Sequence, residues 1–152
     1  MVMAYGYTIG INFPFRDSID GKYLDLSLDN NEEIRSNLIH LILTRKGSRY
    51  YLPDFGTRLY EYLFEPMDGP TFSDIESEIR DSVGEYIPGI TITNVSIKPA
   101  AEDMDGNYVN GEQDREVNVS GLGQLEHTAR VRIDYIVNEG AFNASDFIIL
   151  NI

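Results

Sequence analysis

The chain has 152 residues, 42% of them hydrophobic, so it is long and apolar enough to bury a globular core. Twelve Lys and Arg stand against 25 Asp and Glu, a formal net charge of -13, and phosphate backbones attract basic stripes, so nucleic acid is not an expected partner. The lack of cysteine excludes disulfides, thiolate nucleophiles and Cys-type zinc sites; no membrane partner is expected, since no run of about 18 apolar residues exists, and MVMAYGYTIG does not read as a secretory signal.

Residues 1–28 are expected to form an extended N-terminal arm. Tyr5, Tyr7, Ile9, Ile11, Phe13 and Phe15 alternate with Gly6, Thr8, Gly10, Asn12 and Pro14, the period of a strand with one apolar face. Gly6 and Gly10 weaken it as a free strand, and Pro14 removes a ladder donor. The six apolar side chains are therefore candidate contacts, either with the arm's own domain or with a neighbouring subunit. Asp20-Gly21 marks a turn.

Residues 29–152 are expected to form a single α+β domain. Asp29–Thr44 reads as a helix, with Asp29 as cap, Glu32 in capping-box spacing, and Ile34, Leu38, Leu41 and Ile42 as its apolar stripe. Gly47 ends that unit. Ser48–Leu52 reads as a short strand with Tyr50 and Leu52 on one face, stopped by Pro53. Phe55–Phe64 predicts a short helix with Phe55, Leu59, Tyr62 and Leu63 inward and Asp54 as its cap. Thr71, followed by Asp74, opens the next helix, whose stripe is Phe72, Ile75, Ile79, Val83 and Tyr86; Pro88-Gly89 terminates it.

The rest reads as strands: Ile90–Lys98, Arg115–Val119, Thr128–Val137 and Asp146–Ile152. In the first, the apolar parity switches between Ile92 and Val95, which predicts a bulge. Residues 100–127 are expected to be a loop or hairpin insertion, polar and rich in Gly, Asn and Asp up to Gln113. Two main helices and a short one would then pack on one face of an antiparallel sheet.

Little in the chain points to catalysis. His40 lies beside the first helical stripe, where ordinary packing accounts for it, and His127 has no Ser or Asp at motif spacing. No nucleophile elbow, H-E-x-x-H pair or P-loop is present. Glu61 and Glu65 share a helix face, but a glycosidase needs two carboxyl groups roughly 5–9 Å apart across a cleft, and a solvated face gives the same spacing. Asp103, Asp105 and Asn107 begin like a calcium loop, yet its glycine and its twelfth-position Glu are missing, so a turn is the default. No catalytic residue, cofactor or metal is expected.

The densest stretch is Leu41–Pro66, LILTRKGSRYYLPDFGTRLYEYLFEP. Arg45, Lys46, Arg49 and Arg58 place four of the 12 basic residues within it. Arg pairs bidentately with carboxylates and suits interfaces; Arg49 could equally pair with Asp54 or Glu65 and hold the turn. Phe64 precedes Glu65 and Pro66 as an anchor at a helix end or as plain core. Leu43, Thr44, Arg45, Gly47, Ser48 and Arg49, then Pro53, Asp54, Phe55 and Gly56, then Leu59, Leu63, Phe64, Glu65 and Pro66 together resemble the signature of the baseplate wedge and sheath-initiator family of contractile-tail bacteriophages, with relatives in type VI secretion and other contractile injection systems. The resemblance extends more loosely from Phe13 to Pro99. It departs at Ser48, where many relatives carry an acidic residue, and at Ala100–Leu125, which looks inserted.

The resemblance implies a structural protein of the virion tail baseplate, assembled in the bacterial host cytoplasm in six copies. It would bind baseplate wedge proteins through Arg45, Arg49, Arg58, Phe64, Glu65 and Pro66, with the tail tube or hub as further candidates. It would start polymerisation of the tail sheath protein by strand addition. Phe147, Ile148, Ile149, Leu150 and Ile152, apolar on both faces, are the candidate sheath contacts if the last strand lies at a sheet edge; a central position within the domain is the other reading. The alternatives in function are a lysozyme-like peptidoglycan hydrolase, a label some members of that family carry, and a tail adaptor without sheath contact.

Overall fold

The computed structural model describes residues 9–13, 15–18, 23–62, 69–99, 116–118, 129–139 and 142–151. The chain divides into two compact units, Met1–His40 and Leu41–Ile152.

In the first unit, β1 (Gly10–Ile11) pairs antiparallel with β2 (Leu26–Ser27), Gly10 opposite Ser27 and Ile11 opposite Leu26. The Ile9 N–H donates to the Ser27 carbonyl at 3.0 Å and the Asn12 N–H to that of Asp25 at 3.1 Å. The arm thus lies on its own chain here, but its apolar face points outward, with Ile9 53% and Ile11 45% exposed. Gly10 faces the other way, against Glu33, where a Cβ would overlap the carboxylate. The glycine that weakens a free strand permits this close approach. Phe13 donates its N–H to Ser36 Oγ at 3.1 Å and stacks on His40 with ring centroids 5.7 Å apart. Phe15 meets Phe13 edge-on and remains exposed. Tyr5, Tyr7 and Asp20-Gly21 lie outside the described residues.

Helix α1 (Asn30–Leu43) follows, with the Asp29 carbonyl accepting the Glu33 N–H at 3.2 Å. Glu33 is further fixed by Ser27 Oγ at 2.7 Å and Asn37 Nδ2 at 3.1 Å. Leu38, Ile39, Leu41 and Ile42 are all buried, while Ile34 is half-buried. The buried band is wider than the expected stripe because the two apolar doublets cover adjacent rows of the helix surface.

In the second unit, α3 (Gly69–Tyr86) starts two residues before Thr71, with Pro70 in the first turn, where its missing N–H costs nothing. Thr71 is therefore not the cap; it is buried inside the helix. Ile75, Ile79 and Val83 are buried, with Phe72 and Tyr86 half-buried beside them. The sheet has the order β3 (Ile90–Pro99), β5 (Ala129–Glu139), β6 (Phe142–Asn151), β4 (Glu116–Asn118). The first two pairings are antiparallel, but β4 runs parallel to β6, a correction to the expected antiparallel sheet. The tight β5–β6 hairpin, Glu139 opposite Phe142, leaves only the far side of β6 for β4.

The register of β3 shifts between Ile92 and Asn94, as the parity switch predicts. The bulge sets Ile90, Ile92, Val95 and Ile97 opposite Val137, Tyr135, Ile133 and Val131, all on one face despite the odd spacing. Ile148 and Leu150 pair with Ile133 and Val131 on that face. All of β5's inward residues here are buried, and Tyr135 keeps its hydroxyl satisfied by Asp146 at 3.2 Å. Helix α3 packs against β3, which completes an α+β unit. No described helix is long and apolar enough to cross a membrane.

Candidate docking site

The chain leaves α1 at Leu43 and returns beside it at Thr57. The Thr57 N–H donates to the Thr44 carbonyl at 2.8 Å, and the Lys46 N–H donates to the Thr57 carbonyl at 2.9 Å, across a parallel Arg45–Thr57 bridge. Thr57 Oγ1, buried, donates to the Ile42 carbonyl at 2.7 Å and so satisfies a C-terminal carbonyl of α1. Ser82 Oγ of α3 donates to the Gly56 carbonyl at 3.2 Å. Gly56 has φ 111, and a Cβ on it would collide with the Thr44 carbonyl; glycine is required twice over, by torsion and by space. An inner closure joins the Gly47 N–H to the Pro53 carbonyl at 2.6 Å, with Gly47 at φ 87. The result is a compact loop with adjacent ends.

This geometry replaces two expected elements. Ser48–Leu52 is no strand, because the inner closure bends it back on itself. The expected helix over Phe55–Phe64 is seen only as α2 (Leu59–Tyr62), because Gly56 and Thr57 are committed to the bridge beside α1. Asp54 accordingly does not cap it. Leu59 is buried as expected, Phe55 and Tyr62 are half-buried, and Leu63, Phe64, Glu65 and Pro66 lie outside the described residues.

The basic residues sit around this loop. The Arg49 guanidinium lies 3.8 Å from the Phe55 ring centroid, and Phe55 meets Tyr86 edge-on at 5.1 Å, a stack that fastens the loop to α3. Arg45 lies 5.5 Å from the Tyr60 ring. Arg58 is exposed, and its N–H donates to Glu78 Oε1 at 3.2 Å. Burial, then Asp74, Glu78 and Glu61, push the Tyr62 hydroxyl above its ordinary pKa; burial, then Glu85 and Asp54, do the same to Tyr86.

Sequence reasoning missed the loop's tip. Tyr50 and Tyr51 are 92% and 93% exposed, their rings edge-to-face at 5.3 Å, with Leu52 exposed next to them. Two adjacent aromatics cannot both face inward from a strand, and that doublet was the available signal.

The sheet places the other candidates. Ile148, Ile149 and Leu150 are buried, and Ile149–Asn151 is paired on both sides, by β5 and by β4. The last strand is thus not an edge at these residues. Phe147 is half-buried under Arg132, whose guanidinium lies 4.4 Å from its ring; Ile152 lies outside the described residues. Among the described residues, no strand pairs with the outer side of β3, or with Phe142–Ile148 of β6 on the side of β4. An open cleft of about 360 Å³ runs beside the β3 edge, lined by Phe72 and Glu76 of α3 and by Asn94–Ile97. Among the described residues, no cluster of three or more His, Asp or Glu is arranged to hold a metal ion.

Residues 28–140 match the family model described as baseplate wedge protein gp25. Baseplate wedge protein gp25 of Enterobacteria phage T4 is 39% identical over 70 residues, which make up 46% of this chain and 53% of that protein. The chain therefore spans about half the length of that curated relative. The fold is shared with a protein named as a candidate tail lysozyme from Geobacter sulfurreducens, at TM-score 0.55 and 17% identity, over 80% of this chain and 89% of that one. It is also shared with a chain of the six-fold symmetrised baseplate of the anti-feeding prophage, at TM-score 0.52 and 17% identity, over 92% and 82%. With the family model running from the start of α1 through β5, the chain belongs to the gp25 baseplate wedge family of contractile tails.

Proposed function

We propose that this protein is a structural baseplate wedge subunit that joins the wedge or hub to the sheath and starts sheath polymerisation by strand addition. The observation that carries the second half is that, among the described residues, no strand pairs with the outer side of β3 or with Phe142–Ile148 on the side of β4. Unpaired N–H and C=O groups template a further strand, and the cleft beside β3 offers room for its alternate side chains. The bulge at Thr93 and the Arg80 Nη1 bond to the Ile92 carbonyl, 2.8 Å, block the start of that edge and direct a further strand to Asn94–Ile97. Buried Ile148–Leu150 then act as the sheet's core, and the sheath is met by edges on either side of them.

The test is site-specific photo-crosslinking from Asn94 and from Ser145, both exposed, in tails assembled with the sheath protein. Adducts with the sheath subunit are expected; tails that incorporate the protein but give no sheath adduct from either position overturn strand addition and leave the adaptor reading. The role needs no catalytic group. Glu61 is exposed on the single-turn helix α2, not set in the apolar pocket that raises a glycosidase acid. Pure protein is expected to leave a peptidoglycan zymogram uncleared, and clearing lost in Glu61→Gln would establish the hydrolase instead.

A further inference from the structure

We propose that the Tyr50–Tyr51 tip of the closed loop is an anchor that inserts into an acidic, partly apolar recess on a neighbouring protein of the baseplate. This rests on the wedge reading above and names the chemistry of the surface that meets the loop. Three observations converge on it. The first is exposure: Tyr50, Tyr51 and Leu52 form an unbroken apolar run at the tip, with both rings almost wholly in solvent. Tyr and Arg are the residue types that dominate interface energetics, and Tyr supplies large rigid area for two side-chain torsions.

The second is preorganisation. The 2.6 Å Gly47–Pro53 closure, the Arg45–Thr57 bridge and the Arg49–Phe55–Tyr86 stack fix the tip before any partner arrives. Such a loop loses little entropy on docking.

The third is charge. The loop from Thr44 to Arg58 holds four of the chain's 12 Lys and Arg but only one, Asp54, of its 25 Asp and Glu. On a chain of net charge -13 this is a local reversal of sign. It favours an acidic partner and orients the approach. The same net charge disfavours a nucleic acid as the occupant.

The experiment uses assembled tails. Cells lacking the native chain are supplied with the protein carrying a photo-crosslinking residue at Tyr50, and the adduct is mapped. The expected product joins an Asp- or Glu-bearing segment of a baseplate protein. The double variant Tyr50→Ser/Tyr51→Ser should melt like the wild type yet enter tails at least about tenfold less. Arg49→Glu should lower incorporation as well, and a charge reversal in the mapped acidic segment should restore it. An adduct with nucleic acid or lipid, no adduct from position 50, or wild-type incorporation of the folded double variant overturns the anchor while the wedge assignment stands. Absence of the wild-type protein from purified tails overturns both.

Discussion

Between Ile42 and Leu59 no aliphatic or aromatic side chain is fully buried, yet the backbone there is closed on itself by three bonds, Thr57 to Thr44, Lys46 to Thr57 and Gly47 to Pro53. The β5–β6 hairpin is the reverse: Val131, Ile133, Tyr135, Val137, Ile148 and Leu150 disappear into the core, and the ladder between them is regular. The loop's shape depends on individual residues with unusual torsions and specific hydrogen bonds. The hairpin's shape depends on a pattern that many residues of similar size could meet. Substitutions should therefore be all-or-none in the loop and graded in the hairpin.

The strongest break is expected at Gly56. Its φ of 111 and the Thr44 carbonyl beside it leave no place for a Cβ, so Gly56→Ala should cost about 4 kcal/mol, at the exceptional end for a point substitution. Gly47 has φ 87 but open space around it, so Gly47→Ala carries the torsional penalty alone, about 1 kcal/mol. Urea unfolding of both variants checks the contrast; equal losses would mean that the Thr44–Thr57 approach does not hold the loop. In the hairpin, Ile148→Ala should cost about 3 kcal/mol and Ile148→Val about 1 kcal/mol, scaling with the methylenes removed. A flat response there would contradict a core held by packing.

The same contrast explains what could be read from the sequence. Period-two patterning located β5 and β3, and the misplaced parity around Thr93 predicted the bulge, because burial of one face leaves its trace in every second residue, while the run apolar on both faces located the end of β6. Pairing order leaves no such trace: nothing in Glu116–Asn118 tells that this strand runs parallel beside β6, or that it covers Ile149–Asn151 of the last strand. In the loop, the Gly and Pro residues announced a turn, but not its closure. The Thr57 hydroxyl reaching back to Ile42, and the bridge to Arg45, are contacts between positions that no periodicity connects. Ser48–Leu52 therefore reads as a strand in the sequence, although it forms the exposed Tyr50–Tyr51 tip.

Thr57 offers an intermediate test. Thr57→Val keeps the shape but strands the Ile42 carbonyl in a buried setting, at a cost of about 2 kcal/mol, whereas Thr57→Ser retains the donor and should lose less than half of that. Thermal melts that rank Ser below Val would show that the methyl group, not the hydroxyl, secures the loop. Much less is expected from the Glu76–Arg80 pair on α3. Its N–O distance is 2.8 Å, but the side chains are 37% and 40% exposed, so Glu76→Gln should change stability by at most about 0.5 kcal/mol and less still in high salt.

At neutral pH the smallest effect of all belongs to Tyr86, whose ring carries the Phe55–Arg49 stack. Burial and the neighbouring Glu85 and Asp54 raise its pKa in the folded protein. Below about pH 10 the hydroxyl is protonated in both folded and unfolded chains, and nothing changes. Above that pH the unfolded chain releases the proton first, so the unfolded state binds fewer protons and stability falls until the folded state ionises too. Tyr86→Phe keeps the ring under Phe55 and removes the proton. Urea midpoints measured from about pH 9 to about pH 11 should therefore decline less steeply in Tyr86→Phe than in the wild type, and coincide with it at pH ~7. If the two alkaline slopes agree, the Tyr86 hydroxyl is as well solvated in the folded protein as in the unfolded chain, and the stack secures the loop through its ring faces alone.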